Sequence, residues 1–581
     1  MNEAGLVDSK KGDVMYTTQR AHRLAVTIGL AFYTAFSATP LPAETKPAAT
    51  GVYNVTTFGA KGDGTTLNTT VLQAAIDACA AAGGGTVLIP RGTFLSGTLY
   101  MKDNVVLHLD HAATLLGSGA LSDYPINVCK YPSRSDAYTL RALIWGEGLQ
   151  NIGITGTGVI DGQGHLFKGN VATAEEIAAV KPLLEPEGRF IPEPRYMNRP
   201  YVIRFISCRN VRVEGVAMRA SPMWMQHYLD CDFVTIRGVS VFNHGCANND
   251  MIDIDGCRNV IVSDCFGDTD DDALTLKSTG SRPTEHVVVS NCVLSSHCNA
   301  IKAGTESAGG FNDITISNSV IRRSSVTDEY HGRVEGLAGI ALEIVDGGSM
   351  RRVAISNITV EGTVAPIFIR LGNRGRAARP SAHPLDPLPP VGTIRDISIS
   401  NIVATGASNT GCAIAGLPDH PIENLSLSNI RISFAGGGTE RPWADVPENP
   451  EKYPEITMFD ALPAYGFYIR HATGLRMSGI DLQFEAMDGR PAIVADDVRD
   501  AIIDGVNAEV HPESHASMLL ANSQGILIRD TVAGASQGFL KLEGSCQDIA
   551  LMNNDLRKAE VAIIPQENDV ATQGNLTGKA R

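Results

Sequence analysis

The stretch NNDMIDIDGCRNVIVSDCFGDTDDDALTLKS, Asn248 to Ser278, decides the fold. It holds two acidic knots, Asn248-Asn249-Asp250 and Asp270-Asp271-Asp272, and each runs straight into an alternating apolar segment. In the first, Ile252 and Ile254 alternate with Asp253 and Asp255; in the second, Leu274 and Leu276 alternate with Thr275 and Lys277. Alternation with period two is the signature of a strand that sends one set of side chains to a core. The two segments match at an offset of 22 residues, Ile252 to Leu274 and Asp250 to Asp272. A register that repeats on this scale predicts stacked rungs of a solenoid. Three carboxylates, Asp250, Asp271 and Asp272, then crowd the ends of two neighbouring strands. Such crowding is electrostatically costly, and it is how one site comes to hold both an acid and a base.

Outward from this stretch the rung pattern recurs. Val211/Val213, Val234/Ile236, Val260/Val262, Val287/Val289 and Ile314/Ile316 follow one another at spacings of 23, 26, 27 and 27 residues. Later copies are centred on Val353, Ile397, Leu425 and Leu475. Asn291, Asn318, Asn357, Asn401 and Asn429 share one position after their strands; stacked Asn suit a left-handed turn and can hydrogen-bond along a ladder. Cys208, Cys231 and Cys257 each precede a strand by three residues, and Cys265 and Cys292 share a later rung position. The cysteines therefore read as small buried hydrophobes rather than a disulfide framework. Thr69 to Ala82 predicts a helix stopped by Gly83-Gly84-Gly85, suited to capping the open end of a solenoid.

Composition sets further bounds. A hydrophobic content of 43% with aromatics at 6% and 58 glycines describes a core of small aliphatics and many turns. The net charge of −15 excludes nucleic acid as a partner and requires a local basic cleft if the ligand is a polyanion. Residues 1–43 predict a signal peptide: Arg20, His22 and Arg23 precede a short apolar run, Leu24 to Ala38. That run is shorter than the about 20 residues of a membrane span, so no membrane association is expected after cleavage and the mature chain is expected to be secreted or periplasmic; an uncleaved anchor is the alternative. Residues 44–581 then form one solenoid domain with insertions near 169–198, 375–390 and 436–465, where the rhythm breaks. Loops on one face of a solenoid tend to wall its groove.

An Asn-x-Asp motif (Asn248 to Asp250), followed about twenty residues later by Asp271-Asp272 and an apolar strand ending in Lys277, resembles the polygalacturonase-type glycoside hydrolases of family 28. The resemblance covers about residues 50 to 480. It implies a right-handed parallel β-helix with a short N-terminal capping helix, hydrolysing pectic, uronic-acid-containing polysaccharide or oligosaccharide with inversion. It also implies that Asp271 is the general acid and that Asp250 and Asp272 hold the attacking water as base. The family's Gly-His-Gly is represented by Ser296-His297-Cys298, which makes His297 the candidate to tune the acid; alignment on Gly304-Thr305 moves that position to Cys298 or Asn299. An Arg-x-Lys pair for the substrate carboxylate is not found.

Strand parity offers a substitute for that pair. Taking Ile301 with Leu276 and Lys302 with Lys277, and pointing Arg370 outward beside Ile367 and Ile369, predicts a basic ladder Lys277, Lys302, Arg370, with Glu343 as an interruption. A solvated rung face is the other reading. Glu306, Trp224 and Arg470-His471 are further subsite candidates. No cofactor and no metal are expected: counted from Asp268, a calcium loop would need Gly and Glu where Ala273 and Thr279 stand. A lyase or epimerase on the same solenoid, and a non-catalytic carbohydrate-binding β-helix, remain as alternatives. An intact Asp250, Asp271 and Asp272 set speaks against the last.

Overall fold

A computed structural model describes residues 51–330, 332–377, 389–566 and 570–578. The expected signal peptide, and most of the insertion near 375–390, lie outside the described residues. The chain coils as a right-handed parallel β-helix with three strands to the turn. One turn runs through Ile252–Asp255, Arg258–Ser263 and Phe266–Thr269. The next lays Leu274–Ser278, Thr284–Ser290 and Val293–Ser296 on them, each in parallel. Inward side chains at Ile252, Ile254, Val260, Val262, Leu274, Leu276, Val287 and Val289 are at most 1% exposed and form one continuous core. Burial of each such chain contributes about 1.5–3 kcal/mol.

The register of the opening stretch is as its sequence predicts, Ile252 on Leu274 and Ile254 on Leu276. Asn318, Asn357, Asn401 and Asn429 all take φ between 51° and 57°. Their side-chain amides form a ladder: Asn357 donates to Asn318 at 2.9 Å, Asn401 to Asn357 at 2.9 Å and Asn429 to Asn401 at 2.8 Å. All eleven cysteines are free thiols, and the Cys231 backbone N–H donates to the stacked Cys257 Sγ at 3.4 Å. Helix α1, Thr69–Ala81, buries Leu72, Ala75, Ile76 and Cys79 against the first rungs, and Gly83 with φ of 97° follows its end. A second helix, α2, Ala174–Leu184, lies in the first insertion behind a capping box of Thr173 and Glu176.

We number the central strands of the site-bearing sheet β1 (Gln226–Leu229), β2 (Ile252–Asp255), β3 (Leu274–Ser278), β4 (Asn299–Ser307), β5 (Gly336–Ile344) and β6 (Thr363–Leu371). Here the structure corrects the sequence reading. Ile301 pairs with Leu274, and Lys302 with Thr275, two residues away from the predicted match to Leu276 and Lys277. The turn after β3 is two residues longer than that match assumed, and strand pairing follows the core.

The outer face of this sheet is also drier than alternation alone implies. Toward the C-terminal side, Val446, Ile456, Met458, Phe459 and Leu462 of the 436–465 insertion pack on Ala338, Ala341, Ala365, Phe368 and Ala413. Toward the N-terminal side, Cys129 and Tyr196 pack with Trp145, Tyr201 and Trp224. Between these two covers, β2, β3 and β4 carry polar side chains on their outer face.

Candidate active site

The gap between the two covers is a cavity of about 320 Å3, lined among others by Tyr138, Trp224, Asp250, Asp271, Asp272, Lys277 and Glu306. Asp250 and Asp272 sit at the ends of adjacent rungs, both 2% exposed, whereas Asp271 is half-buried. The Asp271 carboxylate accepts the Asn248 backbone N–H at 3.2 Å, the Tyr330 hydroxyl at 3.3 Å and the Asp272 N–H at 2.9 Å. Asp272 accepts the backbone and side-chain N–H groups of Asn299 at 3.1 and 2.9 Å and pairs with Lys302 at 3.0 Å. Lys277 is shared: its Nζ lies 3.3 Å from Asp250, 3.4 Å from Asp253 and 3.5 Å from Glu306, and 4.4 Å from the centre of the Trp224 ring.

These surroundings separate the carboxyls. Burial, reinforced by Asp253, pushes Asp250 well above the usual carboxylate range against the pull of Lys277. Asp253 is likewise pushed by burial, up to about 8. Burial alone would raise Asp272 too, but Lys302, Lys277 and the Asn299 bonds outweigh it and hold that carboxyl below its ordinary value. Glu306 is held low in the same way by Lys277 and Arg374, and by the Tyr138 hydroxyl, which donates to it at 2.8 Å. The sequence reading expects burial beside like charges to raise the general acid; the member raised by burial, and next by Asp253, is instead Asp250, which the resemblance casts with the base.

The basic ladder is not formed. Lys277 stands opposite Asp255, Lys302 opposite Thr275 and Ala341, and Arg370 opposite Glu343. Lys277, Lys302 and Arg370 are each at most 4% exposed, so neither a ladder nor a solvated face describes them. Lys277 and Lys302 hold the carboxylates. Arg370 does not line the cavity: its guanidinium donates to the carbonyls of Gly416 at 3.1 Å, Glu448 at 2.5 Å and Asn449 at 3.3 Å, beneath the insertion. Orphaning buried carbonyls costs about 1–3 kcal/mol. Arg370→Ala is therefore expected to lower thermal stability by that order and to reduce kcat/KM equally on a free-acid oligosaccharide and its methyl ester. A selective loss on the free acid would show that Arg370 meets substrate after all.

Trp224 and Glu306 do line the cavity, but Trp224 is 3% exposed and packs on Tyr138 and Tyr201, so its ring supports Lys277. His297 is fully buried behind the acidic turn, with Nδ1 3.4 Å from Asp270 and Nε2 bonded to the Val326 carbonyl at 3.0 Å. It touches the turn that carries Asp271, not the cavity. Arg470 pairs with Glu448 and Asp496, and His471 with Asp497 and Glu448; neither reaches the cavity.

Tyr138, Arg195, Tyr196, Arg376, Tyr453 and Glu455 line the cavity and have no rung signal in the sequence. All but Tyr138 lie in the three insertions, and only the expectation that such insertions wall the groove pointed to those five; nothing in the sequence pointed to Tyr138. Among the described residues, two donor sets come within 4.8 Å, Asp271-Asp272-Cys298 and His244-Asp270-His297. Burial pushes the Cys298 thiol well up, which disfavours the thiolate a metal needs.

A three-sided parallel β-helix with a carboxylate trio at the floor of a walled cleft defines a class, the solenoid enzymes acting on carbohydrate. The chain belongs to "Glycosyl hydrolases family 28", whose model matches residues 79–449, and it is a glycoside hydrolase. It is similar to a Vitis vinifera protein named "Probable polygalacturonase", 27% identical over 66% of this chain and 75% of that one. It is also similar to the exo-poly-alpha-D-galacturonosidase of Dickeya chrysanthemi, 24% identical over 67% and 72% of the two chains. Among solved structures, the exopolygalacturonase of Thermotoga maritima superposes with a TM-score of 0.57 at 21% identity, covering 79% of this chain and 96% of that one.

Proposed function

We propose that this hydrolase cleaves pectic, uronic-acid-containing oligosaccharides with inversion, using Asp271 as general acid and Asp272 as the base that activates water beside Asp250. The observation that carries the reading is the unlike surroundings of the trio: Asp272 is paired with Lys302 at 3.0 Å, accepts from Asn299 and is held below its ordinary value, while burial raises Asp250 above its own. Asp271, the most exposed of the three, is placed to meet a leaving-group oxygen from the cavity. Its proton goes to that oxygen as the glycosidic bond breaks. The water oxygen attacks the anomeric carbon and gives its proton to Asp272.

Names of relatives point to galacturonan. With Lys277, Lys302 and Arg370 committed within the protein, the cations at the cavity wall are Arg376 and Arg195, the latter paired with Glu193 at 3.0 Å, and Arg376 is the one we assign to a uronate. Export, as the Leu24–Ala38 run suggests, would bring the enzyme to such polymers. The test is a panel of galacturonan and rhamnogalacturonan oligomers, each as free acid and methyl ester, with products followed by chromatography. Hydrolysis of a free-acid oligomer is expected, and Arg376→Ala should lower kcat/KM on it by about 10-fold or more, in keeping with a lost charge pair, and less on the ester. An unsaturated product absorbing in the ultraviolet would mean a lyase. Binding without turnover would mean a carbohydrate-binding module.

A further inference from the structure

Behind the acidic turn, a histidine that the mechanism does not use is held between two carboxylates. His244 follows the strand Ser240–Asn243. Its Nδ1 is hydrogen-bonded to Asp270 at 2.7 Å, while its Nε2 makes no hydrogen bond and lies 3.3 Å from Asp268 in ion-pair contact, with the side chain 10% exposed. Both acids accept several donors besides the imidazole. Asp268 accepts from Ser324 Oγ at 2.6 Å and from the N–H and Oγ of Ser325 at 2.9 and 2.7 Å, with Arg322 at 3.6 Å. Asp270 accepts the Gly245 N–H at 2.6 Å and the Asn249 amide at 3.3 Å. An imidazole whose two nitrogens both face ionised carboxylates carries a proton on each.

The clamp reaches the chemistry through few bonds. Asp270 directly precedes Asp271, and Asn249, which donates to Asp270, accepts the Asp271 N–H at 3.1 Å. We propose that His244 is a positioning residue: its imidazolium, gripped between Asp268 and Asp270, fixes the turn that presents Asp271 and Asp272 to the cleft. The same atoms do not suit a metal. Ligands about 2.0–2.1 Å from a tetrahedral zinc stand roughly 3.3 Å apart, and 2.7 Å between Nδ1 and Asp270 is hydrogen-bond contact.

The charged and titratable groups facing His244 are Asp268, Asp270 and Arg322, with His297 at 5.7 Å between ring centres and Tyr330 behind it. The two acids outweigh burial and push His244 up to about 9. Its contribution to the folded state is therefore complete below the unfolded histidine value, about 6.5, and is lost as pH rises through 9.

This inference rests on the hydrolase reading for its kinetics but not for its protonation. Nitrogen-15 NMR of the full chain, labelled at histidine and assigned with His244→Gln, should show both His244 nitrogens protonated at pH 7.5 and one released near pH 9. In parallel, kcat in the presence of EDTA should fall on the alkaline side near that pH in the wild type. His244→Gln should lose about 10- to 100-fold in kcat, the scale of a misplaced group, with KM little changed and that alkaline limb gone. A neutral His244 at pH 7.5, or an unchanged limb in the variant, overturns the proposal, as does activity abolished by EDTA and restored by zinc. Should His244→Gln not fold, Asp268→Asn removes one jaw and must move the alkaline limb to lower pH; an unmoved limb overturns the proposal. Lack of turnover by the wild type on every pectic oligomer would refute the substrate reading alone, with the NMR result still deciding the clamp.

Discussion

Asp271→Asn is expected to lower kcat by about 10²–10⁴-fold, the usual contribution of a general acid, while thermal unfolding stays within about 0.5 kcal/mol of wild type. The side chain is the half-exposed member of the trio and stands outside the apolar core. Asn keeps an acceptor for the Asn248 N–H and the Tyr330 hydroxyl but has no acidic proton for a leaving oxygen. KM should change little, because the lost interaction belongs to the transition state. Retention of more than about a tenth of the activity, above the floor of that range, would move the acid role to another carboxyl, with Asp250 the first to test.

Lys277→Met carries the largest expected effect on stability. Lys277 is the shared cation of Asp250, Asp253 and Glu306 and packs on Trp224. Its removal leaves Asp250 and Asp253 without their cation, while Glu306 keeps Arg374 and Tyr138, and breaking a buried pair costs about 3–5 kcal/mol. The loss should depend on pH in a definite direction. In the variant, folded-state carboxyl pKa values lie above their unfolded values, so the folded chain binds more protons and its stability falls as pH rises. The deficit is therefore expected to be largest at pH 7 and above and to shrink toward pH 4.5. The wild-type lysine, itself raised by these acids, loses its contribution only above the ordinary lysine range. Thermal unfolding of both proteins across that pH range checks this; an equal deficit at both ends would mean that Lys277 contributes packing on Trp224 and not charge.

What was legible in the sequence is what the rung repeat encodes. Ile252 on Leu274, the Asn ladder, the stacked cysteines and the α1 cap all follow from side chains that recur with a period and meet a copy of themselves one turn later. Lys302 was misplaced by two residues because turn length leaves no trace in strand alternation. Burial of Lys277, Lys302 and Arg370 was missed for a different reason. Parity reports the face on which a side chain leaves the strand, but not whether a distant insertion covers that face, as 436–465 covers Arg370 through Glu448, 78 residues on. Candidate catalytic carboxylates stand on the rungs and were found. The residues walling their cleft, Tyr138, Arg195 and Tyr453, stand on irregular segments and were not. His244 lies four residues before Asn248, close enough to be noticed, yet only three dimensions put its ring between Asp268 and Asp270.

The central claim is inverting hydrolysis in which Asp271 acts as acid and Asp272 as base. Proton NMR of the first product formed from a free-acid galacturonan oligomer tests it most directly. Inversion predicts that the new reducing end appears first as the anomer opposite to the bond cleaved and then mutarotates to equilibrium. A first product with the original configuration would contradict it, since that outcome requires a covalent intermediate and a nucleophilic carboxylate.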